Sequence, residues 1–138
     1  MIRIRQAKGN DAEISRFINE GFTAYSAQNE VALNYEEFCF VAENEDGTIV
    51  GVVIGHAYYN EVRIGDLIVD EAYRRSGVGS GLVAAVANAF KGAGYDILTL
   101  TTFGFQAPDF YKKLGFEAEF IRENSDPKLC KYFFKKEL

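Results

Sequence analysis

The sequence predicts an α+β domain built on a mixed, mostly antiparallel sheet, and three observations carry that prediction. Two β-rich runs flank Asp46-Gly47, the strongest short-range signal for a hairpin. A further β-rich run follows a tight connection near Asn60-Glu61, which makes three successive antiparallel strands. Thereafter, helical and strand patterns alternate to the end of the chain. The expected order is strand, helix, short helix, three strands, helix, strand, helix and two strands, giving six to seven strands and about four helices.

The elements are justified in order. "MIRIRQA" alternates Ile2 and Ile4 with Arg3 and Arg5, the period of two of an opening strand. Asn10 precedes "DAEISRFINEGF", where Glu13 completes a capping box and Ile14, Phe17 and Ile18 share one helical face. Residues 22–37 are irregular and aromatic, with a short second helix expected around 33–37. Strands are read at 38–44, 49–59 and 62–71. A helix follows from Val78, stopped by Gly92 and Gly94. "DILTLTT" reads as a short buried strand. "APDFYKKLGF" reads as a short helix that has Pro108 in its first turn and ends at Gly115. "FEAEFI" and "CKYFFKKEL" supply the last strands.

Composition bounds the function. The 138 residues are 48% hydrophobic and 25% charged, which suits one soluble domain spanning 1–138. A net charge of −5 argues against a nucleic-acid partner and leans toward cationic substrates. The start has no apolar h-region and no stretch is long enough to span a bilayer, so no signal peptide and no membrane partner are expected. Cys39 and Cys130 lack metal-ligand spacing, and there is one histidine. A cytoplasmic chain without a structural metal follows as the expectation.

The chemistry concentrates in "AYRRSGVGSGL", residues 72–82, at a strand-to-helix junction. Glycines there are expensive, about 0.5–1 kcal/mol each against alanine, so something must approach the backbone closely. A helix N-terminus offers unpaired N–H groups and a partial positive charge. Gly77, Gly79 and Gly81 let phosphate oxygens reach those groups, and Arg74 and Arg75 add charge. The combination points to a diphosphate. It is neither a P-loop, since no lysine follows the glycines, nor a dinucleotide fingerprint, which would need glycine where Leu82 stands.

Arg74, Gly77 and Gly79 form Arg-x-x-Gly-x-Gly directly after "LIVDEAY", and this resembles the acetyl-CoA signature of the GNAT superfamily of N-acetyltransferases. "TTFGFQAPDFYKKLGFE" and the terminal "KYFFKKEL" are similar to later parts of the same family, so the likeness covers nearly the whole chain. The resemblance implies a fourth and fifth strand that splay apart around the pantetheine arm, beside a β-bulge. It places the arm along Leu67, Ile68 and Val69 as a pseudo-strand. It also places the diphosphate on the amides of Arg75, Ser76, Gly77, Val78, Gly79 and Ser80.

The reaction so implied is direct attack of a small-molecule primary amine on the thioester of acetyl-CoA, without a metal. The Leu67 N–H is the candidate for the thioester oxygen, and Tyr111 matches the family's acid that protonates the departing thiolate. For the base, the family's histone-modifying branch uses a glutamate where Arg63 stands here, so that route is not supported; Asp66 points opposite to Leu67. If the hairpin turns at Asn60-Glu61, His56 lies across from Gly65 on the face of Leu67, which makes it one candidate base. A water chain is the other, with His56 then a structural residue.

The family's acceptor region corresponds to 22–37 and 123–130. Phe22, Tyr25, Tyr35, Glu36 and Glu37, with Glu30, Glu123 and Asp126, would suit a cationic amine. Tyr132 and Phe133 line the slot or pack in a homodimer of the kind relatives form through their last strands. A protein or peptide acetyltransferase and a CoA-binding regulatory module without turnover stand as alternatives.

Overall fold

The structure is a computed structural model that describes residues 1–138. Two units emerge, Met1–Asn34 and Tyr35–Leu138, each taken by itself below.

In the first unit, Asp11 rather than Asn10 caps the helix: its carboxylate accepts from the Glu13 amide at 2.8 Å. Helix α1 runs from Ala12 to Gln28, two turns further than the sequence pattern suggested, and absorbs Phe22 and Tyr25. It ends where Glu30 turns left-handed at φ 58°. Residues 1–8 form no strand. Ile2 and Ile4 are 90% and 93% exposed, and the alternation that suggested a strand has no ladder to join. The expected helix at 33–37 is also absent, because Glu36 already opens a strand.

The second unit is a six-stranded sheet. Its strands are β1 (Glu36–Glu43), β2 (Ile49–Tyr58), β3 (Glu61–Val69), β4 (Ile97–Phe103), β5 (Glu117–Arg122) and β6 (Lys131–Glu137). Their order across the sheet is β1-β2-β3-β4-β6-β5. Every neighbouring pair is antiparallel except β3 with β4. The expected α+β class and mostly antiparallel sheet are therefore observed, with six strands and three α-helices in the whole chain.

The first hairpin closes as expected. Gly47 adopts φ 79°, and the Asn44 side chain accepts from the amides of Asp46 and Thr48 at 2.9 and 3.0 Å. The second hairpin turns one residue earlier than expected, on Tyr59 and Asn60, so that Tyr58 pairs with Glu61. Tyr59 supplies the left-handed residue, φ 52°.

Helix α2 (Val78–Phe90) buries Leu82, Val83, Val86 and Phe90. These join Val53 and Ala57 of β2 and Val62 and Ile64 of β3 in the core. Burial of each of these side chains larger than alanine contributes about 1.5–3 kcal/mol. Lys91 ends the helix, and the left-handed Gly92 and Gly94 keep it from resuming. Helix α3 (Pro108–Lys113) begins with Pro108, and Gly115 at φ 94° reverses the chain behind it. From α3, Tyr111 packs against Phe116 of the turn after it and against Phe134 of β6, on the side of Leu98 and Leu100. No helix is long and apolar enough to cross a membrane.

Candidate active site

The site is built on strand β3, which behaves as two halves. Glu61, Val62 and Arg63 pair with Ile97, Leu98 and Thr99 of β4, and there the parallel ladder stops. Both strands continue, β3 to Val69 and β4 to Phe103, without further pairing. The splay inferred from family likeness is thus present, between Arg63/Thr99 and the strand ends. At its root, Thr99 donates to the Glu61 carboxylate at 2.5 Å, tying β3 to β4 where the ladder ends.

A bulge sits at the start of the open half. Ile54 pairs with Asp66 and Gly55 with Ile64, leaving Gly65 as the extra residue. Beyond it the Asp70 amide donates to the Val50 carbonyl at 2.8 Å. Antiparallel alternation then turns Ile68 and Asp66 toward β2, and the backbone groups of Leu67 and Val69 toward the gap. Of the three residues expected along the pantetheine arm, Leu67 and Val69 face the gap. Ile68 does not: its backbone belongs to the β2 ladder and its side chain is 63% exposed. The Val69 carbonyl is occupied, since Arg74 Nε donates to it at 3.1 Å.

The chain then turns through Glu71–Tyr73 into the glycine loop. Arg75 and Gly77 are both left-handed, φ 62° and 88°, a backbone pattern that gathers amides into an anion-binding concavity. Ser76 Oγ bonds the Tyr73 carbonyl and fixes the turn between them. Gly77 caps α2 without a side chain, so the first-turn amides of Val78, Gly79 and Ser80 have no partner in the chain. Arg75 stands exposed beside them. These free backbone amides have the chemistry to receive an anion.

The three glycines have different reasons, which corrects the sequence reading of one common role. Gly77 needs its left-handed φ. Gly79 makes room for Phe110, since a Cβ would meet that ring at 3.1 Å and Val69 at 3.7 Å. Gly81 faces open space, and its amide is already bonded to the Gly77 carbonyl at 2.9 Å, so it serves no phosphate.

The Phe110 contact brings α3 against the first turn of α2. Tyr111, next on α3, is 7% exposed among the rings of Phe110, Phe116 and Phe134, with centroids at 5.0, 5.6 and 6.2 Å. Burial pushes its phenol up to about 12, so it stays protonated throughout the physiological range. No fully buried side-chain oxygen in the chain lacks a hydrogen-bond partner.

His56 is not where the sequence placed it. The earlier turn pairs it with Arg63 instead of Gly65, and the bulge at Gly65 puts Leu67 on the other face from Arg63. His56 therefore lies on the sheet face opposite Leu67 and α2, stacked between Tyr35 and Tyr58 at 5.5 and 5.2 Å. The expected acceptor residues divide likewise. Phe22, Tyr25 and Glu30 lie in the first unit; Glu37 shares the His56 face, and Glu36 takes the other. The Asp126 carboxylate accepts from the Lys128 amide at 3.0 Å and so shapes its own turn. Tyr132 stacks on Phe134 at 5.7 Å toward the helices, while Phe133 faces the other side against Phe120. No group of three or more His, Cys, Asp or Glu side chains is disposed to hold a metal ion.

A family model described as an acetyltransferase (GNAT) domain matches residues 35–118. The chain is 31% identical over 104 residues to blasticidin-S acetyltransferase of Streptomyces morookaense, covering 75% of this chain and 76% of that one. A crystal structure of an acetyltransferase from Bacillus cereus superposes with a TM-score of 0.78 at 31% identity, covering 97% of this chain and 98% of that one. A GNAT family acetyltransferase from Elizabethkingia anophelis, solved with acetyl-CoA bound, shares the fold at 18% identity and a TM-score of 0.63. The match covers 92% of this chain and 85% of that one.

Proposed function

Because the chain belongs to the GNAT acetyltransferase family, we propose that it moves the acetyl group of acetyl-CoA onto a primary amine of a small molecule. The observation that carries this reading is the continuity between the open half of β3 and the unpartnered amides of Val78, Gly79 and Ser80. A diphosphate ester ending in a peptide-like arm matches both features at once: anion on the helix terminus, amides along the strand. Two relatives support the acceptor and cosubstrate, the blasticidin-S enzyme by its name and the Elizabethkingia protein by its bound acetyl-CoA.

Acetyl-CoA supplies an activated acyl group with a thiolate leaving group. Leu67 and Val69 hold the arm through backbone groups turned to the gap, and Arg75 with the α2 amides holds the diphosphate. The Leu67 N–H donates to the thioester oxygen as charge gathers there. As the C–N bond forms and the C–S bond breaks, Tyr111 gives its phenolic proton to sulfur. Burial keeps the phenol protonated until the thiolate forms.

Helices α2 and α3 occupy one face of the sheet, together with the free amides of α2. The acceptor therefore enters the slot from the other face, the one carrying His56. The ammonium proton leaves on that side through water to solvent, since His56 stands three residues along β2 from the partner of Leu67.

The test is calorimetric titration with acetyl-CoA and with S-acetylpantetheine, which lacks the diphosphate. Tight binding of the first that collapses for the second is the expected result. Absence of acetyl-CoA binding overturns the proposal.

A further inference from the structure

We propose that the acceptor carries, at the end remote from its reacting amine, a planar cation of the guanidinium or amidinium type, read by the stacked rings of Tyr35, His56 and Tyr58. The inference deepens the acetyltransferase reading and rests on it for the position of the reacting amine.

The three rings form a ladder on the sheet face opposite α2. Tyr35 stacks on His56 at 5.5 Å and 28°, and His56 on Tyr58 at 5.2 Å and 25°. Each terminal tyrosine is coupled to a carboxylate. Tyr35 donates to Glu37 at 3.1 Å, and Glu61 is the cross-strand partner of Tyr58. On β1–β3, Glu37, Glu61 and Asp66 on this face outnumber Arg63.

The rest of the molecule shows what such rings accept. All five cation–π contacts of the chain fall at its C-terminal end, where Lys112, Lys131, Lys136 and Arg122 lie over Tyr132, Phe103, Phe133 and Phe116. None falls on the ladder, although the ladder has carboxylates beside it. Arg63, the cross-strand partner of His56, lies over none of the three rings, and rings backed by anionic oxygens favour an incoming cation. A flat delocalised cation stacks on such rings and forks onto a carboxylate, which a compact ammonium cannot do.

The ladder also lies at a useful distance. His56 is three residues along β2 from Val53, the partner of Leu67, or roughly 10 Å at strand rise. A six-carbon chain spans that separation.

Three probes decide the matter: 6-aminohexylguanidine, 1,6-diaminohexane and 6-aminohexylurea. They share the reacting amine and the chain but end in a planar cation, a compact cation and a planar neutral group. We expect kcat/KM for the guanidine to exceed that for the diamine by about 5- to 30-fold, with the urea lowest. The same order is expected in calorimetric binding to the CoA-saturated protein. Tyr58→Leu and Tyr35→Leu collapse the guanidine-to-diamine ratio toward one, whereas Tyr58→Phe, which keeps the ring, retains it. All variants keep wild-type affinity for acetyl-CoA, which also reports that they are folded.

A wild-type ratio near one in both binding and turnover overturns the proposal, as does a ratio that survives both leucine variants, or no binding of the guanidine. Failure of the underlying reading has another signature, loss of acetyl-CoA binding itself. Guanidine binding is then measured on the protein alone, where the same ratio and variants decide.

Discussion

The two halves of β3 share one strand and differ in what lies beside them. From Glu61 to Arg63 the backbone is bonded on both sides, to β2 and to β4. From Ile64 to Val69 it is bonded on one side only, and the free side leads to the unpartnered amides of α2. The closed half holds the molecule together, with Val62 fully buried and Thr99 tied to Glu61. The open half leaves peptide groups that a sheet would normally use. Backbone withheld from the fold is backbone available to a ligand.

That contrast can be broken most severely at the acid end of the proposed proton path. Tyr111→Phe removes the phenolic proton but keeps the ring among Phe110, Phe116 and Phe134. It should lower the rate of acetyl transfer by about 10²–10⁴-fold while acetyl-CoA binding is spared, as read by steady-state kinetics beside calorimetry. An unchanged rate would remove Tyr111 from the mechanism.

Proline tests the halves directly, because it deletes one amide at a time. Leu67→Pro deletes an amide that faces the gap, so the fold should survive while turnover falls by about 10²–10³-fold. Ile68→Pro deletes an amide that belongs to the β2 ladder and should destabilise by about 1–3 kcal/mol in urea unfolding. Equal destabilisation by the two would mean that the alternation has been read the wrong way round.

How much of this was legible in the sequence follows from the range of the interactions. The Asp46-Gly47 hairpin, the α2 start and the α3 stop are set by residues a few positions apart, and each appeared close to where local chemistry placed it. The glycine loop was visible as the junction into α2 for the same reason, and Gly77 caps that helix. The register of β2 on β3 was not legible. It depends on a left-handed Tyr59 and on the bulge at Gly65, and neither leaves a pattern that period-two counting detects. The one extra residue at Gly65 put Leu67 on the face opposite His56, which stacks between Tyr35 and Tyr58. The opening alternation of Ile2 and Ile4 failed differently, because a period describes a face and does not supply a partner strand. Gly79 was legible as a glycine that something approaches; that the something is Phe110 is a tertiary fact.

A smaller effect separates the buried Tyr111 from the open slot by pH. Its folded pKa, about 12, stands above the value near 10 of an unfolded tyrosine. Below pH 10 both states keep the proton and the stabilisation is complete. Above pH 10 the unfolded chain releases the proton first, so stability falls as pH rises toward 12, by up to about 2–3 kcal/mol. Tyr111→Phe has nothing to release there. Urea unfolding at pH 8 and pH 11 should therefore show a smaller alkaline loss in the variant than in the parent chain.

The smallest effects distinguish the three glycines beside the open half. Gly77→Ala forces a side chain into a left-handed residue at about 1–2 kcal/mol and should disturb the free amides of α2, lowering both stability and acetyl-CoA affinity. Gly79→Ala brings a Cβ to 3.1 Å from Phe110, and that ring must shift by a few tenths of an ångström on the helix that carries Tyr111. Turnover should therefore suffer more than binding. Gly81→Ala meets nothing within 4 Å, keeps its helical bond to Gly77, and replaces glycine by the best helix former. It should stabilise the protein by about 0.5–1 kcal/mol and leave acetyl-CoA affinity unchanged. Weakened binding in Gly81→Ala would mean that the cofactor's approach extends one residue further along α2 than the unpartnered amides do, and the boundary between closed and open backbone would have to move with it.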